Sequence, residues 1–404
     1  MKLLILSNGH GEDVIAIRII KQLQQLTSYK LKLAALPIVG EGHAYTQSNI
    51  PIVGKVRQMP SGGFIYMESN NLWQDVRGGL IGLTIEQIRL VRKLSKEWSI
   101  LAVGDIVPLL YAWLSSSNFA FVGTAKSEYY LRDETGWLPK TSSLERWFGS
   151  VYLPWERWLM ANSRCKAVFP RDTLTAKILQ RWSSISTYDL GNPMMDDLEC
   201  EKPIKIEKRR ERVTVLLLPG SRMPESLHNW QQIISAVSGV IDRFSHVKLE
   251  FLAAIAPNVN LNPFVEYVIT QGWYLTATSV LTRANATLYL TQNAYACCLQ
   301  QADIAIAMAG TATEQFVGLG KPVVTMPGKG PQFTYAFAEA QTRLLGCSVI
   351  LVANERQVAN TMFAVLNNPQ QLEAISTNGK RRMGSAGASK RIALCLQEKL
   401  LERF

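Results

Sequence analysis

Four times along this chain a short apolar run stops at a turn of glycine and small polar residues, and a helical pattern follows. Lys2–Ser7 gives way to Asn8-Gly9-His10-Gly11-Glu12-Asp13, and Trp98–Val103 to Gly104-Asp105. Val213–Leu218 gives way to Pro219-Gly220-Ser221-Arg222, and Asp303–Met308 to Ala309-Gly310-Thr311-Ala312-Thr313-Glu314. A short apolar run without alternation, closed by turn residues, reads as a strand buried on both faces. Such strands belong to parallel sheets with helical crossovers, so the pattern predicts an α/β fold.

The alternation continues between these points. Leu31–Pro37 and Ala120–Gly123 read as strands, and Asp13–Leu26 and Thr84–Leu94 as helices. In the second half, strands are expected at Val247–Ala253, Ala286–Leu290, Pro322–Met326 and Ser348–Val352. Helices are expected at Ser226–Phe244, Ala294–Gln301, Thr313–Leu319 and Pro331–Leu345, with Gln357–Leu366 and Ser389–Leu401 finishing the chain. The clearest composition shift is the charged run Lys202–Arg212, KPIKIEKRRER, which reads as a linker or exposed edge. The chain has 404 residues, 47% of them hydrophobic, which is enough for two cores. Two similar α/β domains facing a cleft follow, over 1–200 and 201–385. Residues 386–404 form a terminal helix that packs back on the first domain.

A net charge of +11 favours anionic partners: nucleic acid, acidic lipid or phosphorylated substrates. The basic residues are dispersed and no nucleic-acid motif occurs, so nucleic acid is the weakest of the three. Only four His are present, widely scattered, and no CxxC pair, which argues against a metal site. Of the six Cys only Cys297 and Cys298 are close, and adjacent side chains point apart. Reduced, mostly buried thiols are expected, which suits a cytoplasmic protein. No run of eighteen apolar residues suggests a membrane-spanning helix.

In open α/β sheets, ligands gather at the carboxyl ends of strands, where helix N-termini offer free N–H groups. At the first loop, Gly9 and Gly11 permit close backbone approach, Glu12 follows, and His10 is placed to act as a general base. Asp105 reads equally as a helix cap or as a catalytic carboxylate. Gly220 and Ser221 allow a ligand to touch the backbone, and Arg222 suits a phosphate. Gly310, Thr311 and Thr313 supply N–H groups and hydroxyls for a diphosphate, with Glu314 one turn in to accept from ribose hydroxyls. Neither the Walker lysine nor the GxGxxG spacing is present. The order of groups suits a sugar nucleotide.

Over residues 190–325 three motifs resemble lipid-A-disaccharide synthase and its related proteins, of the GT-B glycosyltransferase superfamily. They are Leu217-Leu218-Pro219-Gly220-Ser221-Arg222-Met223-Pro224-Glu225, Ala309-Gly310-Thr311-Ala312-Thr313-Glu314 with Gly320-Lys321-Pro322, and Gly191-Asn192-Pro193-Met194-Met195-Asp196. The resemblance implies two Rossmann-like domains and inverting, metal-independent sugar transfer from a UDP-sugar to a lipid-linked or membrane-near acceptor, with no cofactor beyond that donor. It implies that Ser221, Arg222, Thr311 and Thr313 meet the diphosphate, that Glu314 holds the ribose and that Gln332 lies near the donor sugar. His10 or Asp105 would take the acceptor proton. The chain departs from the synthase at its first motif, at Gly104-Asp105-Ile106, at Asn192 and in the position of Glu314. Donor binding therefore transfers better than acceptor identity. A sugar-nucleotide epimerase of the same fold and a non-catalytic sugar-nucleotide-binding protein are the alternatives.

Trp137–Trp158, WLPKTSSLERWFGSVYLPWERW, holds four of the ten Trp, with Lys140, Arg146 and Arg157 among them. It reads either as a buried aromatic cluster or as a face for peripheral contact with the inner surface of a membrane.

Overall fold

The computed structural model describes residues 1–26, 31–55, 80–204 and 212–401. Most of the charged run Lys202–Arg212 lies outside them. The chain forms two compact units, one of Met1–Asp196 with Ser385–Phe404, the other of Asp197–Gly384.

In the first unit, β1 (Lys2–Ser7), β2 (Lys32–Pro37), β3 (Ser99–Gly104) and β4 (Phe119–Gly123) are followed by a two-stranded ribbon, β5 (Arg132–Asp133) and β6 (Gly136–Trp137), and then by β7 (Cys165–Pro170). Five strands make a parallel sheet in the order β2-β1-β3-β4-β7. Alternation splits β1 between two cores: Leu3 and Ile5 enter one, Leu4 and Leu6 the other. Helix His10–Leu26 covers the first face, where Ile15, Ile19 and Leu23 meet Ile392 and Leu396 of the terminal helix Ala388–Leu396. The Asp196 carboxylate fixes that helix by accepting the N–H groups of Gly387, Ala388 and Ser389.

The second unit carries β8 (Arg212–Leu218), β9 (Lys248–Ala254), β10 (Tyr274–Ala277), β11 (Val280–Arg283), β12 (Ala286–Thr291), β13 (Ile304–Ala307), β14 (Val323–Thr325) and β15 (Val349–Leu351). They form one sheet in the order β10-β11-β12-β9-β8-β13-β14-β15. Its six strands from β12 to β15 are parallel, and β10 and β11 add an antiparallel margin. Val215, Leu217, Phe251, Ile304 and Ile306 join Trp230, Ile233 and Val237 of helix Glu225–Arg243 in the main core.

Both sheets reverse their strand order once. The chain leaves β1 for β2 on one side and returns to β3 on the other; it leaves β8 for β9 and returns to β13. Each reversal opens a crevice at the carboxyl ends of β1/β3 and of β8/β13.

The cysteine expectation is corrected. Cys200 and Cys297 form a disulfide across 97 residues of sequence. The pairing is a product of the fold, which brings helix Tyr295–Gln301 beside the segment after Asp196, and spacing carries no trace of it. Cys165 and Cys298 are buried thiols as expected, each pushed up to about 12 by burial.

Candidate functional site

At the β1/β3 crevice the helix begins at His10 rather than Asp13, so His10 is its first residue and is exposed. Asn8 and Gly9 alone make the turn. At Gly9 the Glu12 carboxylate lies close against the backbone: a Cβ there would stand 2.5 Å from Glu12 Oε2 and would displace that side chain. Glu12 folds back over the loop and accepts from the Thr124 hydroxyl at 3.3 Å; Gly11 beside it is open to solvent. Across the crevice, Asn8 Nδ2 donates to Asp105 Oδ1 at 2.7 Å. The same oxygen accepts the Val107 N–H at 2.8 Å and caps helix Ile106–Leu114. The cap reading of Asp105 is therefore realised. Burial raises the carboxyl of Asp105 above the usual carboxylate range, against the Val107 and Asn8 hydrogen bonds that lower it.

Asp13 takes a place in this crevice that its sequence position does not signal. It is buried, accepts from Ser7 Oγ at 2.6 Å, and that hydroxyl also contacts the Tyr45 hydroxyl at 2.7 Å. Burial pushes the Asp13 carboxyl up to about 6, the Ser7 bond opposes this, and neighbouring Glu12 adds to it. The only sequence signal was a second carboxylate directly after Glu12, which a helix N-terminus explains equally well.

Three loops of the second unit meet at the β8/β13 crevice. Gly220 takes a φ of 95°, and a Cβ on it would lie 3.3 Å from the Met308 carbonyl oxygen. Met308 N–H in turn donates to Leu218 O at 2.8 Å. Ser221 and Arg222 stand exposed beyond this contact. Gly310 caps helix Thr311–Gly318, leaving Thr311 exposed and Glu314 half-buried on the first turn. The third loop precedes helix Tyr335–Leu345. It begins at Tyr335 rather than Pro331, because Gln332 and Phe333 give their N–H groups to Glu225 Oε1 at 3.0 and 2.6 Å. Gln332 itself is exposed.

Thr313 needs a correction. It is 0% exposed, and its hydroxyl donates to Ala309 O at 2.7 Å, so it braces the loop from within instead of facing a ligand. Two further braces had no motif to betray them. Gln341 donates to Ala309 O at 2.9 Å, and Asn229 donates to Pro219 O at 3.0 Å. Both amides are buried and tie one loop each to a following helix.

What the second crevice offers is the N-terminus of a helix at Thr311, a glycine-opened backbone at Gly220, and the Arg222 guanidinium and Glu314 carboxylate on the same loops. That set can bind an anion flanked by a polyol. Among the described residues no group of three His, Cys, Asp or Glu is placed to hold a metal ion, and no helix is long and apolar enough to cross a membrane.

No family model and no curated protein sequence matches the chain. Solved structures do. The Staphylococcus aureus MnaA–UDP structure aligns over 99% of this chain and 97% of its own, with a TM-score of 0.58 at 13% identity. UDP-GlcNAc 2-epimerase from Neisseria meningitidis, bound to UDP-GlcNAc, aligns over 98% and 100%, with a TM-score of 0.55 at 17% identity. Acinetobacter baumannii MurG aligns over 98% and 99%, with a TM-score of 0.55 at 16% identity. At these identities the likeness is one of fold alone, and it does not single out lipid-A-disaccharide synthase. In fold, the chain is a GT-B-type α/β protein with parallel sheets.

Proposed function

We propose that the β8/β13 crevice binds the diphosphate and ribose of a UDP-sugar, and that the chain is an enzyme acting on that sugar nucleotide, with epimerisation as the first reading. The observation that carries the proposal is the convergence of Gly220, the helix start at Thr311 and the Glu225-clamped loop at a topological switch point. In this reading Arg222 and the N–H groups of Ser221 and Thr311 meet the diphosphate, Glu314 accepts from the ribose, and Gln332 lies toward the sugar. Epimerisation comes first because UDP-GlcNAc 2-epimerases recur among the solved structures of this fold. Transfer to a lipid-linked acceptor is the second reading and rests on the LLPGSR and AGTATE motifs. His10 and Asp105 of the first unit are the candidates for moving a proton.

The test begins with calorimetric titration of UDP, UDP-GlcNAc, UDP-glucose and UDP-galactose. UDP is expected to bind, and Arg222→Ala to weaken it roughly ten- to a hundredfold, the worth of hydrogen bonds between charged groups. Failure of every uridine nucleotide to bind would sink the proposal. Incubation of UDP-GlcNAc in deuterated water then separates the readings. Deuterium entering the sugar at C2 without an acceptor marks epimerisation, and Asp105→Asn should abolish it while sparing binding. An unlabelled sugar that leaves UDP only when an acceptor is added marks transfer.

A further inference from the structure

The first unit carries an aromatic face that its own core does not use. Helices Ser143–Phe148 and Pro154–Met160 expose Leu144 by 60%, Trp147 by 78%, Trp155 by 52% and Trp158 by 60%. The rings pack in two groups: Phe148 lies 5.3 Å from Trp147 and 6.4 Å from Trp155, and Trp158 lies 5.1 Å from Trp113. They are held in place. Ser142 and Glu145 form a capping box, and Pro154 opens the second helix. Arg157 stacks on Trp182 at 4.0 Å and donates to Phe148 O at 2.9 Å, pinning one helix to the other. Large apolar groups fixed in water are costly unless something covers them.

The charge around this face is one-sided. Between Trp137 and Trp182 the sequence has eight Lys and Arg against three Asp and Glu. Two of those three acids are turned inward: Glu156 pairs with Lys126, and Asp172 caps helix Thr173–Leu179. Lys140, Arg146, Lys177 and Arg181 remain exposed. A second copy of the chain would bring two basic rims together, which opposes self-association through this face. Tryptophan beside Lys and Arg is the composition that partitions into an anionic headgroup layer.

We infer that this face docks the protein on the surface of an anionic lipid bilayer, with Trp147, Trp155 and Trp158 inserted among the headgroups. The inference is independent of the sugar-nucleotide reading, since its test contains no nucleotide. The full chain is sedimented with vesicles of phosphatidylcholine alone and of equimolar phosphatidylcholine and phosphatidylglycerol. Binding to the anionic vesicles is expected, with Trp emission quenched by brominated lipid. The triple variant Trp147→Ser/Trp155→Ser/Trp158→Ser should bind at least about tenfold more weakly. Lys140→Ala and Arg146→Ala should each cost roughly fivefold, and salt should weaken binding. Circular dichroism and an unchanged melting temperature establish that the variants fold. The inference fails if the wild-type chain ignores anionic vesicles, or if the folded triple variant binds them as well as the wild type. It fails equally if the chain forms a dimer that the triple substitution dissolves while no vesicle binding is seen.

Discussion

The Glu225 carboxylate accepts the Phe333 backbone N–H at 2.6 Å, although 108 residues separate them. The same oxygen takes the Gln332 N–H at 3.0 Å, so a side chain on the first turn of helix Glu225–Arg243 sets the course of the loop after β14. Gly330 makes the approach feasible, since a Cβ there would stand 2.5 Å from Glu225 Cγ. Glu225→Ala should cost about 2–4 kcal/mol, because two donors lose a charged acceptor. Glu225→Gln keeps an acceptor oxygen and should recover most of that loss. Denaturant titration gives the energies, and hydrogen exchange at Gln332 and Phe333 gives the loop. Unchanged exchange in Glu225→Ala would refute the clamp.

The strands that lead into the two crevices were legible because burial on both faces leaves an uninterrupted apolar run, as in Leu3–Leu6 and Val213–Leu218. Where side chains are exposed or mixed, that signal fails. The β10–β11 hairpin has Tyr274 and Leu275 in solvent and was missed, and so was helix Pro369–Met383, whose basic end and Gly379 masked its period. Gly379 is there for packing: a Cβ would meet the Val317 carbonyl at 2.1 Å. In the crevices, the turns at Gly220 and Gly310 could be read from sequence because glycine directly after an apolar run marks a strand exit. Asn229, Gln341 and Asp13 could not, since their partners come from distant turns and only the fold identifies them.

Asp13 makes stability depend on pH. Its carboxyl is raised from 3.8 to about 6 in the folded chain, so the folded state favours the protonated form. The stabilisation is complete below the unfolded value and is lost as pH rises through the folded one. Two units correspond to about 3 kcal/mol. Asp13→Asn keeps an oxygen to accept from Ser7 Oγ and has no proton to lose. Relative to this variant, the wild type should lose about 3 kcal/mol of unfolding free energy between roughly pH 3 and pH 7. A constant difference across that range would mean that Asp13 is not a buried, protonatable carboxyl.

Gly220→Ala tests the backbone opening at β8. The residue sits at a φ of 95°, where a side chain is strained, and the new Cβ would press on Met308 O at 3.3 Å. A loss of roughly 1–3 kcal/mol is expected. Met308 precedes Ala309 and Gly310, so the shift should reach the start of helix Thr311–Gly318 and weaken UDP binding as well. Stability lost with UDP affinity unchanged would separate the Gly220 turn from the ligand.

Lys126 and Glu156 form an ion pair at 2.5 Å with side chains only 11% and 1% exposed. Glu156 also accepts the Leu153 N–H at 2.8 Å and holds the start of its helix. Lys126→Met removes the counter-ion and leaves a buried carboxylate, which should cost about 3–5 kcal/mol near neutral pH. Lys126→Met/Glu156→Gln keeps an acceptor for Leu153 without the charge and should be more stable than the single variant. Both groups act electrostatically on Asp105, Glu156 raising its carboxyl and Lys126 lowering it. The single variant should therefore also move any acidic limb of activity that Asp105 controls to higher pH, and the double variant should move it less. A single variant as stable as the wild type at neutral pH would show that Glu156 reaches water or a second partner.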